Sequence, residues 1–571
     1  MPENGERSKA HTSDHRFRLF LAGSPCYGLV VGRRISHSKE TNLLGDERRR
    51  IVLPRQGRLK VGIGYPNRYH VALSSLAYQW VVELAAGVPG IAIQRFFAPP
   101  DCLGRTLEDD TPLASLDLLA WSCSFELDAV NLIHTLDAAG IARRRQDRSP
   151  RDPMVVVGGA VASINPLPLS QAVDVFVLGA AELLWPQLLE LSREEPDRDR
   201  VLAELAGRDG YFVPSHHLDG EGRPLGRLRR IEKRDPEMND PTLVPSSYMV
   251  TPNTEYRNRG LVEMSRGCPE KCRYCWVSYN YGKLRCYPAE AILDRVRGLA
   301  KITDRVGFVA TAVGDHPELA EILEECRHRD LEVALSSLRI PAMREEVLRP
   351  LAESGARSVT IAPETGTDQL RRRLNKPITN AAILEAADMA LRCGIESLKM
   401  YFIIGLPGET DEDVTGIADL LRQVQEMMVG RGRERGRVGT LHAGFNVLVP
   451  KPYTPYARQS MLTRKEARRR LQIVLDGLAG VGNLRIDRPA YRESIWQAYL
   501  SRGDCSAYAA LDMAASGCSL GELFAAHRRE IEASALNTVD GNPVWQFVTS
   551  APVKKTEPKA PLEMPAKQVK G

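Results

Sequence analysis

Along most of the chain, short apolar runs alternate with amphipathic stretches of helical length, and they do so in two separate series. The first runs from Arg58 to about Glu190. Its strand-like runs are "LKVGIGYP", "LDLLAWSCS", "PMVVVGGA" and "VDVFVLGA". Helical stretches "SSLAYQWVVELAAGV", "ELDAVNLIHTLDAAGI" and "AELLWPQLLEL" separate or follow them, and Leu127, Val130, Ile133 and Leu136 recur at helical spacing. Strands apolar on both faces must be covered on both, so this series predicts a doubly wound parallel sheet between helix layers. In open sheets of that kind ligands sit beyond the carboxyl ends of the strands. Those ends read "GYPNRYH", "SCSFE", "GGAVASINP" and "LGAAE", rich in Gly, Ser and Asn. Two accounts of the glycines stay open, close backbone approach to a large ligand and simple tight turns.

The second series runs from Arg259 to about Tyr456, with strands "GLVEMSRG", "RVGFVAT", "EVALSSL", "SVTIAPE", "SLKMYFIIG" and "HAGFNVLVP". Six βα units fall short of the eight that close a full barrel, so a curved, partly open (β/α)6 barrel is expected. The α/β chain therefore divides into an irregular polar segment at 1–57, the sheet domain at 58–190, a connector at 191–258, the barrel at 259–456, a mainly helical region at 457–550 and a polar tail at 551–571. The connector reads as packing across two domains, and the tail as disordered.

With 571 residues, 43% of them hydrophobic, the chain can bury several cores. It has no apolar run long enough for a membrane span. The stretch "RLFLAGSPCYGLVV" is broken by Gly, Ser and Pro and follows a polar lead, which does not fit a signal peptide. The eleven cysteines are an odd number, mostly scattered, which argues against a disulfide framework and for a reducing cytoplasm. A net charge of +5 with intermixed signs does not by itself indicate a nucleic-acid partner, nor does it exclude one. The stretch "GRGRERGRVG", Gly430 to Gly439, reads as a solvated connector between a helix and a strand.

Four cysteines are crowded between Cys268 and Cys286, the first three as C-x3-C-x2-C on the loop leaving the first barrel strand. Zinc would close a tetrahedral site with a fourth ligand, for which Cys286 is the candidate. A four-iron cluster usually takes four cysteines, but three suffice when one iron is left open for a substrate.

The segment "RGCPEKCRYCW" resembles the signature of radical S-adenosylmethionine (SAM) enzymes. The resemblance implies a [4Fe-4S] cluster held by Cys268, Cys272 and Cys275, with SAM on the fourth iron. It further implies reductive cleavage of SAM to a 5′-deoxyadenosyl radical that takes hydrogen from a substrate carbon. Tyr274 would lie beside cluster and SAM. Glu364, in a segment similar to the family's fourth-strand motif, would hold the polar part of SAM, or else pair with Arg371 to Arg373. Ile404, in "YFIIGLPGET", would pack on adenine, and Ser336, opening "SSLR", would contact ribose or carboxylate. The second strand departs from the family's "GGE"-like segment, reading "VATAVGDHPE", where Asp315 stands in as the contact to the SAM amino group.

The first series looks like the cobalamin (B12)-binding-type domain that precedes the barrel in one branch of this family, in a subgroup whose biochemical role is poorly defined. Tyr65, Ser74, Ser122, Gly158, Gly159, Gly179 and Glu182 are the corrinoid contacts this implies. The loop "NRYHVAL" lacks the Asp and Gly of the D-x-H-x-x-G motif, so His70 reads as a packing or surface residue rather than a cobalt ligand. "GAAE" replaces the usual "GEGE", so either the corrinoid site is altered or the domain is a scaffold. The leading expectation is cobalamin-dependent methyl transfer or radical rearrangement. The alternatives are a cluster-only RNA- or protein-modifying enzyme of methylthiotransferase type, with Cys26, Cys102 and Cys123 as second-cluster candidates, and a non-catalytic iron–sulfur scaffold or regulatory protein. Such an enzyme implies an electron donor such as a flavodoxin or ferredoxin, and the substrate is not named by any motif.

Overall fold

The computed structural model describes residues 42–233 and 235–550. Cys26 and the 551–571 tail lie outside them, as does most of the 1–57 segment.

The first series folds into one sheet of β1 (Leu59–Tyr65), β2 (Ile91–Phe97), β3 (Leu118–Ser122), β4 (Met154–Gly158), β5 (Val175–Val177) and β6 (Tyr211–Phe212). The spatial order is β2-β1-β3-β4-β5-β6, and only β6 is antiparallel to its neighbour. The chain reverses direction across the sheet between β1 and β3, which is the switch point where doubly wound sheets open a crevice. Helices α1 (Leu76–Ala86), α2 (Ala129–Ala138) and α3 (Ala181–Glu194) cover it. α1 starts where Ser75 accepts a hydrogen bond from Tyr78 N, an N-cap that satisfies one orphan donor of the first turn.

β2 is not among the strands expected from the apolar runs, because "IAIQRFF" carries a charge. Arg95 is nonetheless fully buried, held by Glu47 at 2.9 Å and Glu108 at 2.5 Å. Such a guanidinium is tolerated inside only because its charge is paired.

The barrel strands form two parallel ladders, β7 (Gly260–Arg266), β8 (Arg305–Ala310) and β9 (Glu332–Leu335), then β10 (Ser358–Glu364), β11 (Ser397–Ile404), β12 (Leu441–Val447) and β13 (Leu484–Asp487). At the junction Leu338 N donates to Thr360 O at 2.9 Å, so the two ladders follow one curve. All six expected strands are present, and β13 adds a seventh, a four-residue run with alternating exposure. The arginine-rich stretch differs from its expectation. Helix α4 (Asp411–Glu434), started by a capping box between Thr410 and Asp413, continues through Gly430 to Glu434, leaving only a short turn before β12. Helix α5 (Arg464–Gly477) opens the helical C-terminal region and packs on α4, and α6 (Tyr491–Arg502) follows β13.

That C-terminal region shares one apolar core with the first domain, through Trp496, Tyr499, Tyr508, Leu511 and Phe547. Polar contacts reinforce it. Buried Glu126, just past β3, pairs with Lys451 and accepts from Ser501 at 2.7 Å and Gln497 at 2.9 Å. Asn165 donates to Gly503 O at 2.6 Å. The described C-terminal helices thus pack against the first domain, with the barrel between them in sequence.

Candidate active site

The carboxyl ends of β3, β4 and β5 and the carboxyl end of β7 open into one cavity of about 730 Å³. The loop after β7 brings Cys268, Cys272 and Cys275 to its wall. Gly267, at φ +84°, lets the chain turn there, since a Cβ would lie 2.1 Å from Lys283 O. Cys286 is paired antiparallel opposite Ser265 and is not on the wall. Among the described residues no three His, Cys, Asp or Glu side chains converge tightly enough to hold a single metal ion. Three cysteine thiols on one wall are the donor type that an iron–sulfur cluster takes. Burial raises the Cys268 thiol and pushes Cys272 up to about 12, so loading such a centre must displace protons.

Tyr274 lies beside them on the wall. Its hydroxyl donates to Glu364 Oε1 at 2.7 Å, and its ring packs against Leu370, Leu374, Leu406, Leu448 and Tyr456. Glu364 closes β10 at φ +68°, a conformation rare for a residue with a side chain, where the β10–β11 register shifts. Its carboxylate pairs with Lys376 Nζ at 2.6 Å. Arg371 serves differently: its guanidinium donates to Pro363 O and Thr365 O and pairs with Asp368.

Three of the residues expected at SAM do not reach the cavity wall. Ser336 turns its hydroxyl to Ala310 O at 3.0 Å, while Ser337 and Arg339 of the same "SSLR" segment line the cavity. Asp315 is one step removed, gripping Arg339 at 2.6 Å while Glu270 grips it from the other side at 2.5 Å. Ile404 is buried in the barrel core. Ile403, on the opposite strand face, packs against the same apolar cluster as Tyr274.

On the first domain's side, Ser122, Gly158, Gly159, Gly179 and Glu182 line the cavity, whereas Tyr65 and Ser74 do not. Tyr65 is buried in an edge-to-face contact with Tyr78, and Ser74 donates to His70 O and accepts from Glu255 N. His70 is exposed and off the wall. The glycines divide by role. A Cβ on Gly159 (φ +97°) would lie 2.6 Å from Cys123 O, and one on Gly179 (φ +129°) 1.8 Å from Ile231 O, so the protein's own backbone requires both. A Cβ on Gly158 would meet nothing closer than Val177 Cβ at 3.8 Å, so its missing side chain leaves room in the cavity. Behind Gly158 the space runs on as an apolar slot between sheet residues Ala120, Val156 and Val177 and helix residues Leu76, Ala77 and Trp185. Cys102 and Cys123 are buried and do not line the cavity.

Glu182 joins the two halves. It accepts from Trp80 Nε1 at 3.0 Å and pairs with Arg266, the last residue of β7, at 2.6 Å, and with Lys233 at 2.9 Å. Burial alone would raise its carboxyl, but Arg266 and Lys233 outweigh that and hold it near 2. Sequence reasoning missed Arg266, Lys233, Lys376 and the tryptophans Trp80, Trp121 and Trp185. The only local signals were that Arg266 precedes Cys268 by two and that Lys376 closes "RRRLNK". Three buried polar atoms on this wall, Trp121 Nε1, Glu232 Oε2 and Ser265 Oγ, have no protein partner among the described residues. Buried polar atoms are rarely left so, and their concentration around one cavity marks a place for a polar ligand.

Residues 262–421 match the family described as the radical SAM superfamily, and residues 86–214 match that described as radical SAM proteins, N-terminal. An uncharacterized protein of Methanocaldococcus jannaschii is 24% identical over 81% of this chain and 92% of its own length. The ribosomal protein uS12 methylthiotransferase of Desulfotalea psychrophila is 24% identical over 39% of this chain and 54% of its own. Among solved structures, the cobalamin-dependent S-adenosylmethionine radical enzyme OxsB is a distant likeness, 15% identical over 65% of this chain and 52% of that one, with a TM-score of 0.46. By these two matches, which together span about half of the chain, and by the C-x3-C-x2-C loop standing where the first barrel strand ends, the chain belongs to the radical SAM superfamily.

Proposed function

We propose that this protein is a radical SAM enzyme in which cluster, SAM and cobalamin share one cavity, and that it carries out methyl transfer or a radical rearrangement at a carbon of its substrate. The observation that carries this reading is the continuity of the cavity. The same space touches three cysteines and the carboxyl edge of a doubly wound sheet, and it extends as an apolar slot under α1 and α3.

In this reading Cys268, Cys272 and Cys275 hold the cluster, and Tyr274, Glu364 and Arg339 surround SAM. Ser122, Gly158 and the slot residues take the corrinoid. Together these groups would supply a 5′-deoxyadenosyl radical for hydrogen abstraction and a methyl donor for the carbon left behind. The chain's own part is placement. Arg339, held by Glu270 and Asp315, keeps a fixed positive charge beside the thiols. Lys376 and Tyr274 both engage Oε1 of Glu364, fixing its carboxylate at the strand end. The Glu182 pairings hold the two cofactor-facing edges in register, and the largely apolar walls keep bulk water from a reactive carbon radical. Electrons would come from a flavodoxin- or ferredoxin-like donor.

Gly158→Trp tests the reading. The indole would occupy space on the first domain's side of the cavity, where a Cβ on Gly158 meets nothing closer than Val177. The variant should load about four irons per chain, as the wild type does, yet lose the corrin spectrum that otherwise survives gel filtration after incubation with hydroxocobalamin. A wild-type chain that loads iron fully and retains no corrin would overturn the cobalamin assignment and leave the cluster-only alternative, which the methylthiotransferase similarity favours.

A further inference from the structure

At the open edge of the barrel, beyond the carboxyl ends of β12 and β13, lies a second concavity of about 520 Å³. Arg464 and Arg468 of α5 and Arg488 and Arg492 of the segment after β13 line it, over a floor that includes Leu471 and Tyr491. Arg464 and Arg468 also border an adjoining shallower hollow with Lys465. All five of these cations are exposed, and none makes a side-chain hydrogen bond or ion pair among the described residues. Their neighbours on the same helix are committed: Arg469 pairs with Asp411 and Glu466, and Arg470 with Glu409 and Glu466. Glu493 is the single acid on the 520 Å³ lining, and burial raises its carboxyl, which favours the neutral form.

Three uncompensated cations in the first turns of α5 oppose the helix dipole, so helix stability gives no reason for them. The terminal segments are themselves net basic in sequence. Residues 1–41 hold seven Lys and Arg against four Asp and Glu, and residues 551–571 hold five Lys against two Glu. A guanidinium fork matches a phosphate's paired oxygens, and a narrow cleft with an aromatic and aliphatic floor suits a sugar–base chain better than the broad face of an acidic protein.

We infer that this cleft binds the phosphate backbone of a single-stranded nucleic acid. It lies at the carboxyl ends of the barrel strands, the same end as the cysteine loop, so a strand gripped there is held at the catalytic rim. This inference does not depend on the cobalamin assignment.

The test is fluorescence anisotropy of a labelled 20-nucleotide single-stranded RNA of mixed sequence with the full, cluster-reconstituted chain. Wild type should bind with an affinity that falls steeply with salt. R468E/R492E, both at exposed positions, should bind at least roughly tenfold more weakly, with a log–log salt slope smaller by about 1.4, two phosphate contacts at about 0.7 each. Iron content and melting temperature should be unchanged, which separates lost binding from misfolding. The inference is overturned if the variant matches wild type in affinity and slope, if wild type shows no salt-sensitive binding, or if polyglutamate competes as well as unlabelled RNA per unit charge.

Discussion

Replacing Cys268, Cys272 or Cys275 singly with alanine is expected to abolish iron–sulfur charge-transfer absorption and all reductive cleavage of SAM, while Cys286→Ala retains both. The three cysteines share one cavity wall, and Cys286 sits off it on a short strand beside β7. Backbone hydrogen bonds fix their loop: Cys268 N donates to Gly282 O, Cys275 N to Cys272 O, and Arg273 N to Leu374 O. Anaerobic reconstitution followed by iron analysis and quantification of 5′-deoxyadenosine checks this. A Cys286→Ala protein that loses its metal, with zinc copurifying in the wild type, would sink the three-ligand assignment.

Glu182→Ala should destabilise the protein by about 3–5 kcal/mol, the usual cost of removing one partner from a buried charge network. Arg266 would keep Glu263 at 2.9 Å, but Lys233 would lose its one carboxylate at ion-pair distance and Trp80 Nε1 its acceptor. The effect also has a pH signature. Glu182 titrates near 2 in the folded protein, below its ordinary 4.5, so its stabilisation is complete above the ordinary value and fades as pH falls toward 2. Wild type should therefore lose more stability than Glu182→Ala on acidification through that window. Denaturant titrations at pH 7 and pH 3 decide it, and a difference at pH 7 below about 1 kcal/mol would mean that the pairing is incidental.

The architecture was legible where strands are apolar on both faces, because "MVVVG" or "VFV" can be stable only between two helix layers. Legibility failed where charge or brevity hid a strand. Arg95 disguised β2 because its partners Glu47 and Glu108 are distant in sequence, and β13 is four residues long. The sharing of a core between the first domain and the C-terminal helices rests on contacts such as Glu126 to Ser501, which no local pattern encodes. At the site, the cysteine spacing was readable because it is a local constraint on one loop. Side-chain direction was not. Ser336 and Ser337, or Ile403 and Ile404, differ by one residue and face opposite ways, and backbone register decided which of each pair points where. Gly158, Gly159 and Gly179 look alike in sequence, yet only the surroundings show that one leaves cavity space and two relieve backbone clashes.

The central claim is that one cavity brings both cofactors together, and electron paramagnetic resonance tests it directly. Chain loaded with cluster and cob(II)alamin should show the cobalt signal alone while the cluster is oxidised. Reduction of the cluster should then broaden or split that signal through coupling of two nearby spins. A spectrum that is the plain sum of an isolated cob(II)alamin and an isolated reduced cluster would contradict the shared cavity.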